Sequence, residues 1–402
     1  MLSATPVVAA PSYVDRRVSA IPAATLLSQP AAALVDAHRQ PGSERMRGYS
    51  RPLFFIWAFS QIGLLFYLWG SGNAARMRDA VRRAIRPLFA MRFAYGALLA
   101  IVAALAALPA SLVRYRVEVA FGLTTEPFFG WVRDGLVTVT GQAIVIGLIV
   151  ACVFALVDRT RLWWAWSMIG LFIVTLFMAF LEPVFIAPLY NRFTLLPASA
   201  PVRTPLLALA RRAGIGDAPI VISDDSRRTS AAIADVAGFG PTKRIVLSDA
   251  LLENATAGEI LFLAAREFGH YAHHDDFRLS LFWTFLFIFG TALAVVTADR
   301  VGFRRDDDPL ARLALVLGFL GLYALAMTPV YDAYSRNIES RADGYALALT
   351  GDRASAVRAY VRIADETLAP LCPTKLAQLY FYNSPPLGAR IAKAAGRPDP
   401  CR

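Results

Sequence analysis

Five consecutive residues have the spacing of a metal-dependent hydrolytic site: Arg266-Glu267-Phe268-Gly269-His270. The spacing is that of the motif H-E-x-x-H, in which two histidines one helical turn apart hold a zinc ion. The glutamate beside the first histidine then activates a water molecule that is bound to the metal. In this chain Arg266 stands where the first histidine would be. The motif therefore indicates zinc-dependent hydrolysis but lacks one of its ligands.

Arginine cannot replace histidine as a zinc ligand. The guanidinium of Arg266 stays protonated and has no lone pair to offer a cation. Two unit charges about 4 Å apart repel each other by roughly 4 kcal/mol at an effective dielectric constant of about 20, and zinc carries two charges. A charged Arg266 and a bound zinc ion are therefore hard to combine in one site.

A second set of metal ligands is open to the chain. Glu267, His270 and His274 are spaced i, i+3 and i+7, so they would share one face of a continuous helix. A metal displaced by one turn could then meet both histidines, and Glu267 would become a ligand rather than the activator of water. The other interpretation of residues 273–276, His-His-Asp-Asp, is a solvated helix end beside a membrane.

The composition is that of an integral membrane protein. Of the 402 residues 56% are hydrophobic and 18% are charged, which is too apolar for a soluble globular protein. Several uncharged runs are long enough to cross a bilayer, and their recurrence between charged connections favours membrane spans over buried core helices. These runs are residues 52–70, 93–113, 135–157, 163 to about 181, 279–298 and 310–330.

The basic residues do not indicate a nucleic-acid partner. The formal net charge is +11, but the basic residues are scattered at the ends of predicted helices and form no stripe interleaved with aromatic residues. A cluster of arginines directly follows the first predicted span, which is typical of a cytoplasmic loop against anionic headgroups. The cluster consists of Arg76, Arg78, Arg82, Arg83 and Arg86.

The cysteines predict no covalent or metal framework. Cys152 lies inside a predicted span, and Cys372 and Cys401 lie near the C-terminus. This spacing favours neither a metal knuckle nor a disulfide framework. The cysteines therefore carry no prediction about the redox compartment of the protein.

The chain divides into three predicted parts. Residues 1–50 are rich in Ala, Pro, Ser and Arg and lack an apolar run long enough for a signal peptide or a span, so we expect a flexible arm. Residues 51–197 are expected to form an N-terminal membrane domain with four spans. Residues 198–402 are expected to form a domain that carries the motif and includes a two-span membrane hairpin at about residues 279–330.

Short elements position the motif in this last part. Residues 219–223 and 243–248 are β-branched runs bounded by turn residues, which predicts strands of a small sheet. Thr256-Ala257-Gly258-Glu259 is a capping box, so a helix begins there and runs through the motif. Arg266 and His270 therefore lie on one helical face.

Four further segments, in order along the chain, resemble segments of a known family. They are residues 187–194 (APLYNRFT), residues 243–249 (KRIVLSD), Ser335-Arg336-x-x-Glu339-x-x-Ala342-Asp343, and Pro385-Pro386-x-x-x-Arg390-Ile391. Together with the degenerate H-E-x-x-H motif, they make the chain similar to the type I CAAX prenyl endopeptidases, which are membrane zinc metalloproteases related to the HtpX group. The resemblance extends over most of the chain from about Leu64.

The resemblance implies a role for each residue that matches the family pattern. Glu267 corresponds to the general base, and His270 and Glu339 correspond to zinc ligands. Asp343 corresponds to a partner that orients a histidine, and Arg390 to a polar group near the scissile carbonyl. The implied cofactor is one zinc ion.

Three positions depart from that pattern. Arg266 occupies the first ligand position, Ser384 stands where the family usually has a histidine that stabilises the oxyanion, and Ile233 stands where the substrate-binding strand usually carries asparagine. Because the ligand, oxyanion and substrate positions change together, we expect hydrolysis to be impaired or absent. Arg266 is expected instead to bond to Glu267 and Glu339, so that a fixed positive charge fills the place of the metal.

The expected fold is mainly α: a multi-pass helical membrane bundle with a gluzincin-like metalloprotease domain that contains a small β-sheet. The expected function is that of a membrane-embedded metallopeptidase of this family, impaired in this chain. One alternative is an active zinc endopeptidase that uses His270 and His274. The other is a non-enzymatic pseudoprotease that binds peptide or lipid. The expected partners are the lipid bilayer and a peptide or membrane-protein substrate.

The expected location is a bacterial-type inner membrane, crossed several times. With four spans before the motif, the arginine cluster after the first span favours an outer position for the protease-like domain. The resemblance implies the cytosolic side, where the better-known members of the family keep this site. Both orientations are therefore open.

Overall fold

The computed structural model describes residues 14–229, 231, 233–238, 242–302 and 308–402. The described chain begins with a short 3-10 helix at Val18–Ala20, followed by α1 (Ala23–Ser28) and α2 (Ala31–Leu34). Most of the described residues are helical, and the strands form one small sheet. The mainly α fold expected from the composition is thus confirmed.

The N-terminal half of the chain forms a bundle of long helices. The bundle consists of α3 (Pro41–Gly70), α4 (Asn73–Ala84), α5 (Leu88–Ala120), α6 (Phe128–Val157), α7 (Trp163–Leu181) and α8 (Ala187–Tyr190), with a π-helical turn at Glu182–Ile186. Each apolar run predicted between residues 52 and 181 lies within one of these helices. Small residues let α5 and α6 pack closely, because a Cβ at Gly96 would lie 2.9 Å from Val150.

A mixed four-stranded sheet begins the second half of the chain. The elements are β1 (Phe193–Leu195), α9 (Arg203–Arg212), β2 (Ile220–Ser223), β3 (Ala234–Ala237), β4 (Arg244–Ser248), α10 (Asp249–Asn254) and α11 (Ala257–Ala272). The strand order is β1-β2-β4-β3, with β2 and β4 parallel and the two outer pairs antiparallel. The predicted strands are the two central ones, and their apolar residues, such as Ile220 and Ile245, are buried.

A long helical hairpin follows the sheet and leads to the C-terminal helices. These elements are α12 (Asp275–Gly302), α13 (Pro309–Thr350), α14 (Arg353–Glu366), α15 (Lys375–Phe381) and α16 (Leu387–Ala395). Among the described residues, five helices are long and apolar enough to cross a bilayer: α3, α5, α6, α12 and α13. The described part of α7, Trp163–Thr175, is apolar as well. The multi-pass membrane character is therefore confirmed.

The core of the C-terminal domain lies around α11. Phe262 of α11 packs edge-to-face on Tyr360 of α14, with ring centroids 5.4 Å apart, and both side chains are buried. Ile245 of β4 and Ile391 of α16 belong to the same buried cluster. The helix that carries the motif is therefore held between the sheet and the C-terminal helices.

Residues 14–50 are not the flexible arm that the composition led us to expect. The backbone N–H of Asp36 donates to both carboxylate oxygens of Asp365 on α14, at 3.0 Å. Arg362, also on α14, is 1% exposed and donates to the backbone carbonyl of Asp15 at 2.8 Å. Buried polar groups need partners, and the N-terminal segment supplies them to α14.

Cys372 and Cys401 form a disulfide, so the expectation that the cysteines form no such bond is wrong. Their Cα atoms are 5.1 Å apart although 29 residues separate them in the sequence. The fold brings them together because the backbone N–H of Gly388, at the start of α16, donates to the carbonyl of Leu371 at 2.8 Å. This contact depends on tertiary structure, which cysteine spacing alone does not report.

The contact between the N-terminal segment and α14 should depend on pH. Burial raises the pKa of the Glu366 carboxyl to about 7, and Arg362 opposes that rise. A carboxyl whose pKa is higher in the folded state stabilises the fold at low pH, and this stabilisation is lost as the pH rises through the folded pKa. Between about pH 5 and pH 8 the free energy of unfolding should fall, by up to roughly 3 kcal/mol for a buried group.

Thermal melts of Glu366→Gln at both pH values check this expectation. The substitution should flatten the pH dependence, because an amide does not titrate, whereas exposed Glu253→Gln should keep the wild-type slope. Asp365 also has a pKa raised by burial to about 7, so some dependence should remain in Glu366→Gln. An unchanged slope in Glu366→Gln would contradict the assignment.

Candidate functional site

Helix α11 positions the motif residues. The expected capping box is present: the backbone N–H of Thr256 donates to Glu259 Oε2 at 2.8 Å, and the backbone N–H of Glu259 donates to Thr256 Oγ1 at 3.4 Å. The first turns of the helix lie in the domain core, where Phe262 is fully buried. Arg266 and His270 follow one turn apart toward the C-terminal end of the helix.

Helix α13 brings the second group of site residues to the first. Glu339 and Asp343 are four residues apart on α13, so they lie on one face. The two helices approach closely at Gly269 of the motif, where a Cβ would lie 3.1 Å from a ring carbon of Tyr345. Because Gly269 has no side chain, α13 reaches the motif and places its carboxylates beside Arg266.

The guanidinium of Arg266 faces three carboxylates. Its Nη1 donates to Glu267 Oε1 at 2.6 Å, and its Nη2 donates to Glu339 Oε2. Its Nε lies 3.5 Å from Asp343 Oδ1. The Arg266 side chain is only 19% exposed. The expected ion pair of Arg266 with both glutamates is therefore present.

The charge on Arg266 is permanent. Burial alone would lower the pKa of the guanidinium, but Glu267, Glu339 and Asp343 hold that pKa above its ordinary value. Burial raises the pKa of the Glu267 carboxyl, and Arg266 opposes that rise. Because Arg266 stays protonated, a fixed positive charge occupies the space between the two glutamates.

His270 is held by a carboxylate that the sequence did not place in the site. The imidazole Nδ1 lies 3.0 Å from Asp275 Oδ2, and Nε2 lies 3.6 Å from Glu339 Oε1. Asp275 is 1% exposed and also pairs with Arg341. The interpretation of residues 273–276 as a solvated helix end is therefore wrong for Asp275, which begins α12 and whose buried charge needs partners.

The structure lacks the continuous helix through His274 that the alternative ligand set requires. Helix α11 ends at Ala272, and His274 has a φ of 53°, in the left-handed region. The helical register is interrupted there, so His270 and His274 do not share a continuous helical face. His274 is also exposed, whereas His270 is half-buried beside Asp275.

Arg390 lies on the far side of Asp343. Its Nε and Nη2 donate to the two carboxylate oxygens of Asp343 at 2.8 Å and 2.6 Å. Its Nη2 is 3.9 Å from Glu339 Oε2, and its guanidinium lies 4.4 Å from the ring centroid of Tyr360. Asp343 therefore bonds to an arginine, and its carboxylate links Arg390 to Arg266.

A cavity of about 210 Å³ opens next to Arg266. It lies between strand β3 and helices α11, α12 and α13, and β3 is one of the two edge strands of the sheet. The residues that line it are Asp235, Val236, Arg266, Glu267, His270, Tyr271, Asp275, Asp276, Leu279, Ile338 and Glu339. Ile233 directly precedes β3 and is 38% exposed. The cavity thus runs from the edge of the sheet to the motif.

The residues present do not fit the zinc ion that the resemblance implies. Glu267, His270 and Glu339 have donor atoms of the right chemistry, but both glutamates turn an oxygen toward the Arg266 guanidinium. In the part of the chain that the structure describes, no group of three or more His, Cys, Asp or Glu residues is arranged to hold a metal ion. The arrangement binds a guanidinium rather than a divalent cation.

Sequence reasoning missed three residues that shape this site: Asp275, Arg341 and Tyr360. Asp275 lies only five residues after His270, but the run of polar residues around it resembled an exposed helix end. Arg341 lies between Glu339 and Asp343 in the sequence, so its position on the predicted helix was known. Its ion pair with Asp275 could not be predicted from the sequence. Tyr360 carried no sequence signal, since its contact with Arg390 depends on the packing of α14 against α16.

Two family models match the chain. The model for peptidase family M48 matches residues 199–397, which contain the sheet, the motif and the C-terminal helices. The model for the CAAX prenyl protease N-terminal region, described as five membrane helices, matches residues 50–192. Together the two models cover both parts of the described architecture.

Individual proteins show the same relationship. The chain is 28% identical over 350 residues to the uncharacterized metalloprotease YhfN of Bacillus subtilis, over 85% of this chain and 82% of YhfN. It is 28% identical over 318 residues to CAAX prenyl protease 1 of Saccharomyces cerevisiae, over 73% and 70% of the two chains. The crystal structure of S. mikatae Ste24p shares the fold, with a TM-score of 0.77, 22% identity and 94% coverage of both chains. The chain therefore belongs to peptidase family M48, among the membrane CAAX prenyl proteases.

Proposed function

We propose that this chain is a membrane-embedded member of the family in which peptide-bond hydrolysis is impaired or absent. One observation supports this proposal above all others: the Arg266 guanidinium bonds to Glu267 and Glu339. The family pattern assigns these two carboxylates to the general base and to a zinc ligand. In this chain both accept a hydrogen bond from a resident side-chain cation.

Electrostatics opposes a zinc ion at this place. A zinc ion about 4 Å from the guanidinium would be repelled by roughly 8 kcal/mol, twice the value for two unit charges at an effective dielectric constant of about 20. The loss of one imidazole also removes a bond to the metal, and even outer-shell changes weaken metal binding about 10–100-fold. Arg266 would have to leave its carboxylates before zinc could enter.

The acid–base chemistry is impaired as well. A general base must be free to accept a proton from the attacking water, but Glu267 already accepts a hydrogen bond from Arg266 at 2.6 Å. Ser384 stands at the oxyanion position, and removal of one oxyanion donor costs about 10²–10³ in rate. The loss of the oxyanion donor is independent of the metal, so it would limit hydrolysis even at high zinc concentration.

A retained function of the cavity is peptide binding. Strand β3 is an edge strand of the sheet and contributes Asp235 and Val236 to the cavity. An extended peptide can add to such an edge through main-chain hydrogen bonds, and side-chain pockets beside the edge then provide selectivity. If the protein is a non-enzymatic pseudoprotease, this geometry favours a peptide over a lipid as its ligand.

The relatives named CAAX prenyl protease suggest prenylated protein tails as a ligand class, and YhfN suggests a bacterial counterpart. By this analogy the bound segment would be a peptide or a membrane-protein tail that approaches from the bilayer. The proposed location is accordingly the inner membrane of a bacterial cell, with the bilayer itself as a partner.

The purified wild-type protein should bind less than one equivalent of zinc at the site and show no chelator-sensitive peptidase activity. Arg266→His should restore zinc binding, because His270 and Glu339 stay in register on their two helices. It should recover only weak hydrolysis, and adding Ser384→His should raise the rate by about 10²–10³. Metal analysis by mass spectrometry and a peptidase assay with and without chelator measure both quantities.

An arginine-to-histidine change elsewhere provides the control for this series. Arg211→His, on the exposed end of α9, should bind no additional zinc and should show no peptidase activity. One equivalent of zinc together with chelator-sensitive cleavage in the wild-type protein would contradict the proposed loss of hydrolysis.

The ion pair should contribute measurably to stability. Glu339→Ala leaves Arg266 with fewer partners, and breaking a buried pair costs about 3–5 kcal/mol. We expect the lower end of that range, because Glu267 and Asp343 still face the guanidinium. Glu253→Ala, at an exposed position of α10, should change the stability by less than about 0.5 kcal/mol. Equal melting temperatures of the two variants would show that the ion pair does not stabilise the fold.

A further inference from the structure

The two ends of the membrane bundle differ in charge. One end carries the protease-like domain. The other, here named the arginine end, is formed by α4, the start of α5, the turn between α6 and α7, the last turn of α12 and the start of α13. Ion pairs connect these elements, since Arg78 Nη1 lies 3.0 Å from Asp308 Oδ2 and Arg92 Nη1 lies 2.6 Å from Asp158 Oδ2.

The arginine end presents exposed guanidinium groups. Helix α4 packs its apolar side, including Met77 and Val81, on the cluster of buried residues between α3, α5 and α13. Apart from Arg78, which pairs with Asp308, its arginines lie on the other side, so α4 resembles a helix that lies flat in a membrane interface. The exposed arginines of this end are Arg76, Arg82, Arg83, Arg86, Arg159, Arg161 and Arg300.

The turn between α6 and α7 forms a recess that suits a phosphate-bearing headgroup. Its volume is about 520 Å³, and Arg159 and Arg161 line it together with Thr160. Arg92 already neutralises Asp158, and the ion pairs of the described residues do not include Arg159 or Arg161. Trp164 and Trp166 nearby are 52% and 54% exposed, as is typical of the aromatic belt at a membrane interface.

The end of the bundle that carries the protease-like domain also has arginines, but several of them form hydrogen bonds or ion pairs within the protein. Arg47 donates to the carbonyl of Leu368 at 3.4 Å, and Arg228 pairs with Asp134 at 2.7 Å. The segment between the apolar runs of α5 and α6 at this end, residues 114–134, contains three arginines, whereas the segment between the apolar runs of α3 and α5 at the arginine end, residues 71–92, contains six. Short connections between spans that are rich in Lys and Arg stay in the cytoplasm. The larger number of arginines therefore favours a cytoplasmic position for the arginine end.

The disulfide gives independent evidence for the same orientation. Cys372 and Cys401 are bonded in the protease-like domain, at the opposite end from the arginine end. Disulfides persist in oxidising compartments and are rare in the cytosol, where thiols are kept reduced. A structural disulfide in this domain therefore indicates an extracytoplasmic position.

We propose that the arginine end contacts the anionic headgroups of the cytoplasmic leaflet, and that the protease-like domain and its cavity face the opposite, oxidising side of the membrane. The orientation is independent of the proposed function. If the cavity binds peptides, a consequence that rests on the proposed function, the ligands are segments exposed outside the cytoplasm.

Reporters in the full-length chain test the orientation. Alkaline phosphatase, which folds only after export, is fused after Arg402 or inserted before Arg86 in the connection between α4 and α5. Green fluorescent protein, which matures in the cytosol, is placed at the same two positions. We expect phosphatase activity after Arg402 and fluorescence at the insertion before Arg86. The reverse pattern would overturn the proposal.

The state of the cysteines in cells gives a second readout on the unmodified chain. Free thiols are blocked with N-ethylmaleimide in intact cells before lysis, and the intact mass of the purified protein is measured. Cys372 and Cys401 should remain unblocked until a reductant is added. In Cys372→Ser, Cys401 should become blocked, which verifies that the reagent reaches it. Blocked Cys372 and Cys401 in the wild-type protein, beyond any label on the free Cys152, would argue for a reducing compartment and against the proposal.

Thermal melts in lipid nanodiscs test the headgroup contact. Replacing phosphatidylcholine discs by discs with roughly one third phosphatidylglycerol should raise the Tm of the wild-type protein. Arg82→Glu with Arg83→Glu should reduce this rise, whereas Arg211→Glu with Arg402→Glu in the domain should keep it. If the Arg82→Glu, Arg83→Glu variant fails to fold, Arg82→Gln with Arg83→Gln replaces it in the same measurement. An equal rise in all variants would refute the headgroup contact.

Discussion

The guanidinium of Arg266 stabilises the contact on which the site depends. Helix α11 contributes Glu267, and helix α13 contributes Glu339 and Asp343, so the two helices meet through carboxylates. Like charges at such distances repel each other unless a cation or a proton intervenes. Because Arg266 is a side chain of the same fold, that cation is always present. The site is therefore complete without any exchangeable ion.

Much of the fold follows from local patterns in the sequence. The membrane helices were visible as uncharged runs, the start of α11 as a capping box, and the central strands as β-branched runs. The ion pair of Arg266 with Glu339 was also predictable, since the family pattern places both residues around one metal position. In each case the decisive signal lies within a short window or within a known motif.

The features that sequence reasoning missed depend on long-range packing. The disulfide joins cysteines 29 residues apart through the contact of Gly388 with Leu371. The docking of residues 14–50 depends on buried charges of α14, and the composition of the segment itself suggested no partner. The burial of Asp275 follows from the position of α12 next to α13. A pattern of residue types records none of these distances.

The docked N-terminal segment has a consequence for biosynthesis. Asp36 bonds to Asp365, which is 329 residues later in the chain. At about 5–20 residues per second, translation separates the two residues by roughly 16–66 s. The segment around Asp36 is synthesised before the membrane helices and is thus among the last parts of the chain to reach its final place. Closure of the domain can occur only after all of its membrane helices have been synthesised.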